Sequence, residues 1–211
     1  MSAREAAAPR VAVLGYEGVD ELDLVGVFAP LAKAAACADH RPGLEVLLAG
    51  PYPLLTGSNG LRLGAARRLG ETELCGVVVV PGGRGVQAAA GDPRLLTVLR
   101  NAHARGAAIF AVCSGAYLVA ASGIGLSRAA IHGGKHALLR SVTSAEIGRG
   151  LIRDGGVTTI GGGRSASLKA TDIAFEILRR FAPRCLECVS GRMELDWRSA
   201  PDDRPAGDAP R

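Results

Sequence analysis

Apolar residues in this chain fall into short uninterrupted blocks, with neither long runs nor strict alternation. Val11-Ala12-Val13-Leu14, a block over 44–49, Val77-Val78-Val79-Val80 and Ala107-Ala108-Ile109-Phe110-Ala111-Val112 each have the length of a strand. They are closed in turn by Gly15, by Gly50-Pro51, by Pro81-Gly82-Gly83 and by Cys113-Ser114-Gly115. Continuous blocks of this kind, above all the four valines, suit strands covered on both faces. Helix signals lie between them. A Leu- and Ala-rich segment runs over 22–36, Asp92-Pro93 supplies an N-cap and first turn for a helix to about residue 104, and 170–181 is amphipathic and stops before Pro183. Leu151-Ile152-Arg153 and Val157-Thr158-Thr159-Ile160 flank Asp154-Gly155-Gly156, a hairpin pattern, and Gly161-Gly162-Gly163 ends the second strand. Residues 122–135 read as a glycine-rich loop broken by Arg128-Ala129-Ala130-Ile131. Strands alternating with helices predict an α/β fold with a mostly parallel sheet and helices on both faces. The pattern places one domain over 10–197, after a flexible lead-in (1–9) and before a disordered tail (198–211) rich in Pro, Asp and Gly.

Composition narrows the function classes. With 211 residues, 48% hydrophobic but only 4% aromatic, the chain builds a sizeable core from Ala, Val, Leu and Ile. No apolar run reaches the roughly 18 residues that span a bilayer, and the N-terminus has no apolar leader, so no membrane partner and a cytoplasmic location are expected. The net charge is +5, but the arginines are scattered, with pairs such as Arg67-Arg68 and no interleaved aromatics. That is a solvated surface, and no nucleic-acid partner is expected. Five cysteines, an odd number, read as reduced thiols in a reducing compartment. Cys37 and Cys75 read as packing residues. Cys185-Leu186-Glu187-Cys188 has C-x-x-C spacing without a second pair or a preceding thioredoxin-like strand, and is expected to be neither a metal nor a redox centre.

The block that ends in Cys113 is followed by Ser114-Gly115-Ala116 and then by Tyr117-Leu118-Val119-Ala120-Ala121. Strand, sharp turn and helix place the cysteine at an elbow above the sheet's C-terminal edge, where open α/β sheets bind ligands. Free N–H groups at the helix start favour thiolate, so a lowered thiol pKa is expected. An inert core cysteine fits the same local pattern.

Three segments carry a family resemblance: Gly18-Val19-Asp20-Glu21-Leu22-Asp23-Leu24, Val80-Pro81-Gly82-Gly83-Arg84-Gly85 and Val112-Cys113-Ser114-Gly115-Ala116. With Ala130-Ile131-His132, Arg153-Asp154-Gly155 and Ala170-Thr171-Asp172-Ile173-Ala174 in the same order, the chain resembles the ThiJ/PfpI superfamily of class I glutamine-amidotransferase-like proteins over residues 10–197. The resemblance implies a flavodoxin-like three-layer α/β sandwich, commonly a homodimer, with a nucleophile-elbow cysteine. Leu22-Asp23-Leu24 is similar to the isonitrile hydratase branch, whereas glyoxalase and deglycase branches generally carry Glu in place of Asp23. For that branch it implies a reactive set of Asp23, Cys113 and Ser114, a small-molecule substrate, and no cofactor or metal. Three positions depart from the branch. Ser114 replaces Thr, Gly26-Val27 replaces Gly-Pro, and Gly133-Gly134 stands where an aromatic follows the histidine.

The residues themselves suggest a division of labour. Cys113 is the candidate nucleophile and Asp23 the candidate acid/base, its pKa raised beside a thiolate in a partly buried pocket; a solvated carboxylate at a helix start is the alternative. The N–H groups of Gly82, Gly83 and Ser114 are candidates for an oxyanion hole, or the glycines simply end a strand. The Ser114 hydroxyl contacts substrate or caps its helix. His132 is a candidate dyad partner of Cys113 or a structural residue. His132 and His136 have metal-pair spacing, but the intervening glycines oppose the helix such a pair needs. Arg84 and Arg164, each after glycines at a strand end, meet a substrate anion or lie on the surface. The reading is a cysteine-dependent hydratase or lyase. A glyoxalase, deglycase or amidase, and a non-enzymatic ligand or redox sensor using Cys113, stand as alternatives.

Overall fold

The computed structural model of the chain describes residues 9–37, 44–162 and 168–197. The expected lead-in (apart from Pro9), the tail and Arg164 lie outside the described residues. Eleven strands are described: β1 Arg10–Leu14, β2 Glu45–Gly50, β3 Leu54–Thr56, β4 Arg62–Gly64, β5 Arg67–Arg68, β6 Val77–Val80, β7 Ala108–Val112, β8 Arg128–Ala130, β9 Glu146–Gly148, β10 Gly150–Asp154 and β11 Val157–Gly161. The helices are α1 Glu21–Ala35, α2 Val86–Ala90, α3 Pro93–Ala104, α4 Gly115–Ala121, α5 His136–Arg140, α6 Leu168–Phe181 and α7 Leu186–Arg192.

Seven strands form one sheet in the order β10-β11-β7-β6-β1-β2-β5, parallel except for the antiparallel β10–β11 hairpin. Helices α1, α6 and α7 pack together, as do α2, α3 and α4, to give the flavodoxin-like arrangement that the strand–helix alternation predicts. The apolar blocks are the sheet's interior: the four valines of β6 and all of Ile109 to Val112 in β7 are fully buried. The predicted signals for α1, α3 and α6 hold to within two residues, and Asp92 caps α3 by accepting from Arg94 N–H. Inside the glycine-rich stretch 122–135, the break at Arg128 is β8, which pairs in parallel with β9.

From β1 the chain moves to β2, on the side away from β6; from β6 it moves to β7, on the side away from β1. This reversal is the topological switch point, where side chains from both helix layers reach one crevice at the strands' C-terminal ends. Tyr16, Pro81-Gly82-Gly83 and Cys113 all follow the ends of these three strands.

The cysteines correct one expectation. Cys37, just beyond α1, is disulfide-bonded to Cys188 in α7, with Cα atoms 6.4 Å apart. Packing of α7 on α1 brings together two thiols 151 residues apart, which no local spacing reveals. Cys188 therefore belongs to a crosslink and not to a C-x-x-C unit, and the odd cysteine count no longer argues for a reducing compartment. Cys75, Cys113 and Cys185 are free; Cys75 packs with Ala12, Leu47 and Ala49, as its apolar setting suggested. Among the described residues no helix is long and apolar enough to cross a membrane.

Alkylation of the denatured, unreduced protein should label the three free cysteines and, after reduction, all five. Cys37→Ser should lower stability by about 2–5 kcal/mol, because the bond closes a long loop in the unfolded chain. Mass spectrometry and urea unfolding check both.

Candidate active site

Cys113 adopts φ +60°, one of two non-glycine residues with positive φ among the described residues. That conformation costs on the order of 1–3 kcal/mol and persists only where the surroundings impose it. Here its N–H donates to Ile160 O at 3.0 Å and its carbonyl accepts from His132 N–H at 3.4 Å. Gly115 completes the elbow: a Cβ there would collide with the carbonyl of Val80 at the end of β6. The sulfur is thus lifted out of β7 at the crevice and left only partly buried.

Asp23 arrives from the opposite direction. Asp20 caps α1, its Oδ1 accepting from the N–H groups of Leu22 and Asp23 at 3.0 Å each. This fixes the first turn so that Asp23 points into the sheet edge, with 3% of its surface exposed. Its Oδ2 accepts from Gly82 N–H at 3.1 Å. Gly82 has no room for a side chain, since a Cβ would lie 2.8 Å from Asp23 Oδ2, Ser114 N and Ser114 Oγ alike. Asp23 and Cys113 are electrostatically coupled: the thiol pulls the carboxyl's pKa down, and the carboxylate pushes the thiol's up.

Two further groups complete the cluster. Lys169 of α6 is 4% exposed, its Nζ lies 3.9 Å from Asp23 Oδ1, and its charge favours the Cys113 thiolate. Tyr16, buried, donates from its hydroxyl to Pro81 O at 2.8 Å. Burial, then the nearby Asp23, Cys113 and Asp20, hold the Tyr16 phenol well above its ordinary pKa, so it remains a neutral donor. Neither residue stands out in the linear pattern. The available signal for Lys169 was a lysine in register with Ile173 and Ile177 on the buried face of α6, in a chain with only three lysines. For Tyr16 it was an aromatic directly after a buried strand.

The electrostatics separate the two reacting candidates. Burial raises Asp23 from 3.8 to about 6, and Asp20 adds to the rise. The Lys169 charge, the Gly82 N–H and the Cys113 thiol pull it back only in part. Cys113 is also raised, first by burial and then by Asp23, against the opposing pull of Lys169 and of Ser114 N–H. The expectation of a lowered thiol pKa is therefore corrected. A helix of seven residues beside a carboxylate does not outweigh the desolvation of the sulfur.

The other predicted positions divide. Ser114 is buried against the site, and its Oγ accepts from Gly83 N–H at 3.0 Å. The N–H groups of Gly82 and Gly83, candidates for an oxyanion hole, are already given to Asp23 and Ser114, so they orient the site's own side chains. The His132 side chain is exposed, and its Nδ1 accepts from Gly134 N–H at 3.1 Å; it meets Cys113 through its backbone. Arg84 is exposed and donates to Asn59 Oδ1 at 3.2 Å.

A parallel sheet with a strained cysteine elbow at its switch point, facing a buried carboxyl from the first helix, defines a flavodoxin-like α/β protein of the cysteine-elbow class. The chain belongs to the DJ-1/PfpI family, whose model matches residues 9–168. It is 28% identical over 162 residues to an isonitrile hydratase from Pseudomonas putida, covering 76% of this chain and 68% of that protein. Its fold is similar to that of Drosophila melanogaster DJ-1beta, with a TM-score of 0.76 at 19% identity over 90% of this chain and 100% of that one. It is similar also to a ThiJ/PfpI family protein from Pseudomonas syringae, with a TM-score of 0.75 at 22% identity over 97% of this chain and 81% of that one.

Cys113 should be the first free thiol alkylated in native protein, because Cys75 and Cys185 are buried; peptide mapping after brief iodoacetamide treatment checks this, and label on Cys185 ahead of Cys113 would contradict it. Asp23 carries a folded-state pKa above its unfolded value of 3.8, so ionising it opposes folding, not at all below about 3.8 and in full above about 6. Asp23→Asn should accordingly gain on the wild type as pH rises from 4 to 8, by on the order of 2–3 kcal/mol across that interval, set against the cost of leaving the Lys169 ammonium without its carboxylate; thermal melts across that range check it.

Proposed function

We propose that this protein is a cysteine-dependent hydratase of small electrophilic carbon centres, with an isonitrile as the substrate type that best fits the site. The observation that carries this reading is the strained Cys113 elbow at the switch point together with the buried Asp23 carboxyl held there by Gly82 N–H, each bearing on the other's ionisation. The relationship to the isonitrile hydratase supports the substrate type.

The reading assigns each group a step. Asp23, ionised above about pH 6, takes the thiol proton as the sulfur attacks the terminal carbon of R–NC. The C–S bond forms, and protonated Asp23 returns its proton to the same carbon, leaving a thioimidate, R–N=CH–S–Cys113. Water adds to that carbon, the nitrogen is protonated, and collapse breaks the C–S bond. The products are the N-substituted formamide, R–NH–CHO, and free Cys113, so one water is consumed per turnover. Gly82 N–H holds the carboxyl in line, and Gly83 N–H holds Ser114 Oγ where it meets the substrate. His132 serves the turn over Gly133-Gly134 through its Nδ1. The loss of aromatic bulk there favours larger substrates. The reading includes a homodimer, supported by exposed apolar side chains at Leu22, Val25, Leu54 and Leu61.

Formamide production from an alkyl or aryl isonitrile, followed by chromatography, tests the reading. The wild type should turn over, Cys113→Ala should not, and Asp23→Asn should lose about a hundredfold or more, within the usual range for a proton-transfer group. Turnover should fall as pH drops through about 6, where Asp23 becomes protonated and can no longer accept the thiol proton. Equal turnover by Cys113→Ala refutes the mechanism. Turnover of dicarbonyls alone reassigns the protein to a glyoxalase-type reaction, and inertness to both with reversible oxidation of Cys113 reassigns it to a sensor.

A further inference from the structure

A lysine on the apolar face of a core helix needs an explanation. Lys169 lies one residue before Ala170, at which α6 packs tightly on α1: a Cβ on Gly26 would lie 2.7 Å from the Ala170 Cβ. That approach is closed to any larger residue at position 26. It carries the start of α6 to the crevice and sets Lys169 Nζ 3.9 Å from Asp23 Oδ1, with 5% and 4% of the two side chains exposed. The same ammonium favours the ionised form of Cys113. A buried cation is tolerated only beside compensating charge. The cysteine and the aspartate together supply one negative charge whenever they hold a single proton between them.

We infer that Lys169 is a positioning residue for Cys113: its buried ammonium, delivered to the crevice by the Gly26–Ala170 contact, stabilises the thiolate at the moment the thiol proton passes to Asp23. The inference rests on the proposed role of Cys113 as nucleophile. The transfer moves one proton from Cys113 Sγ to an Asp23 oxygen and breaks no other bond. Before it, Lys169 faces the Asp23 carboxylate; after it, Lys169 faces the sulfur anion. The ion pair is kept, and only the identity of the anion changes.

Several other charged and titratable groups bear on this titration. Asp20 caps α1 and acts on both Asp23 and Tyr16, and Tyr16 at the end of β1 stays neutral. His132 meets Cys113 through its backbone, with its ring exposed. Glu17 accepts from Thr56 N–H and Glu21 from Asn59, both outside the crevice. On α6, Asp172 is buried, and Glu176 is held by Arg153 and Arg179.

The test is the pH profile of Cys113 alkylation by iodoacetamide in the intact protein, read by mass spectrometry for wild type, Lys169→Met and Lys169→Arg. Lys169→Met keeps the apolar stem and removes the charge. Its profile should move up by about one pH unit, which is about a tenfold slower reaction at pH 7. Lys169→Arg, which keeps the charge, should stay within about threefold of wild type at pH 7, less than half a pH unit. A purely structural role lowers the melting temperature without moving the profile. A Lys169→Met profile that coincides with wild type overturns the inference, as does a Lys169→Arg profile displaced as far as that of Lys169→Met.

Should Lys169→Met fail to fold, the wild type decides. With 13C-labelled lysine, one of the three side-chain Cε resonances must titrate with the midpoint of Cys113 alkylation and cease to do so in Cys113→Ala. A lysine spectrum indifferent to Cys113 overturns the inference. Alkylation needs no substrate, so failure of isonitrile turnover and failure of this inference are separately observable.

Discussion

Everything at this site depends on how a carboxyl group can be buried at the edge of a parallel sheet. Asp23 has almost no contact with solvent, and burial is the largest influence on its ionisation. Its ionised form survives because three elements each contribute one favourable group: Gly82 N–H after β6, the Cys113 thiol after β7 and the Lys169 ammonium of α6. Each of these pulls down the pKa of a carboxyl that burial alone would raise further. Gly82 has no Cβ for the same reason, because Asp23 and Ser114 already occupy the space around it. The elbow, the strand-ending glycines and the N-cap of α1 are thus parts of one arrangement.

Much of this was legible in the chain and some was not, for identifiable reasons. Contiguous apolar blocks announce buried parallel strands directly, because a strand covered on both faces has no polar side to show. Asp92-Pro93 announces α3 through local backbone chemistry that needs no tertiary partner. The elbow was visible because strand, cysteine, glycine and helix are consecutive. Lys169 was not, because its meaning depends on α6 packing against α1, and the residues concerned lie more than a hundred positions apart. The Cys37–Cys188 bond was hidden by the same kind of distance. The short elements β3, β4, β5 and β9, of two or three residues each, are too brief to carry a periodic signal.

The thiol itself shows why a motif does not fix a protonation state. An elbow cysteine at a helix start invites the inference of a resting thiolate, yet here burial and a neighbouring carboxylate push the other way. The consequence is a site with its proton stored on sulfur and an acceptor of pKa about 6 electrostatically coupled to it. Reactivity is then a property of the pair and not of the cysteine. The commitment of Gly82 and Gly83 N–H groups to side chains makes the same point. Backbone donors that a pattern assigns to substrate can be spent on holding the catalytic candidates in place.

The crosslink between Cys37 and Cys188 has a consequence for biosynthesis. The first of these thiols leaves the ribosome 151 residues before its partner exists, and Cys75, Cys113 and Cys185 all emerge in the interval. Throughout that time Cys37 must avoid three wrong partners, one of which is the residue on which the chemistry depends. The burial of Cys75 and Cys185 in the finished fold, and the partial burial of Cys113, restrict those mispairings once each segment has packed. A chain oxidised too early would be trapped in the wrong covalent topology, whereas one oxidised last is sealed in the right one.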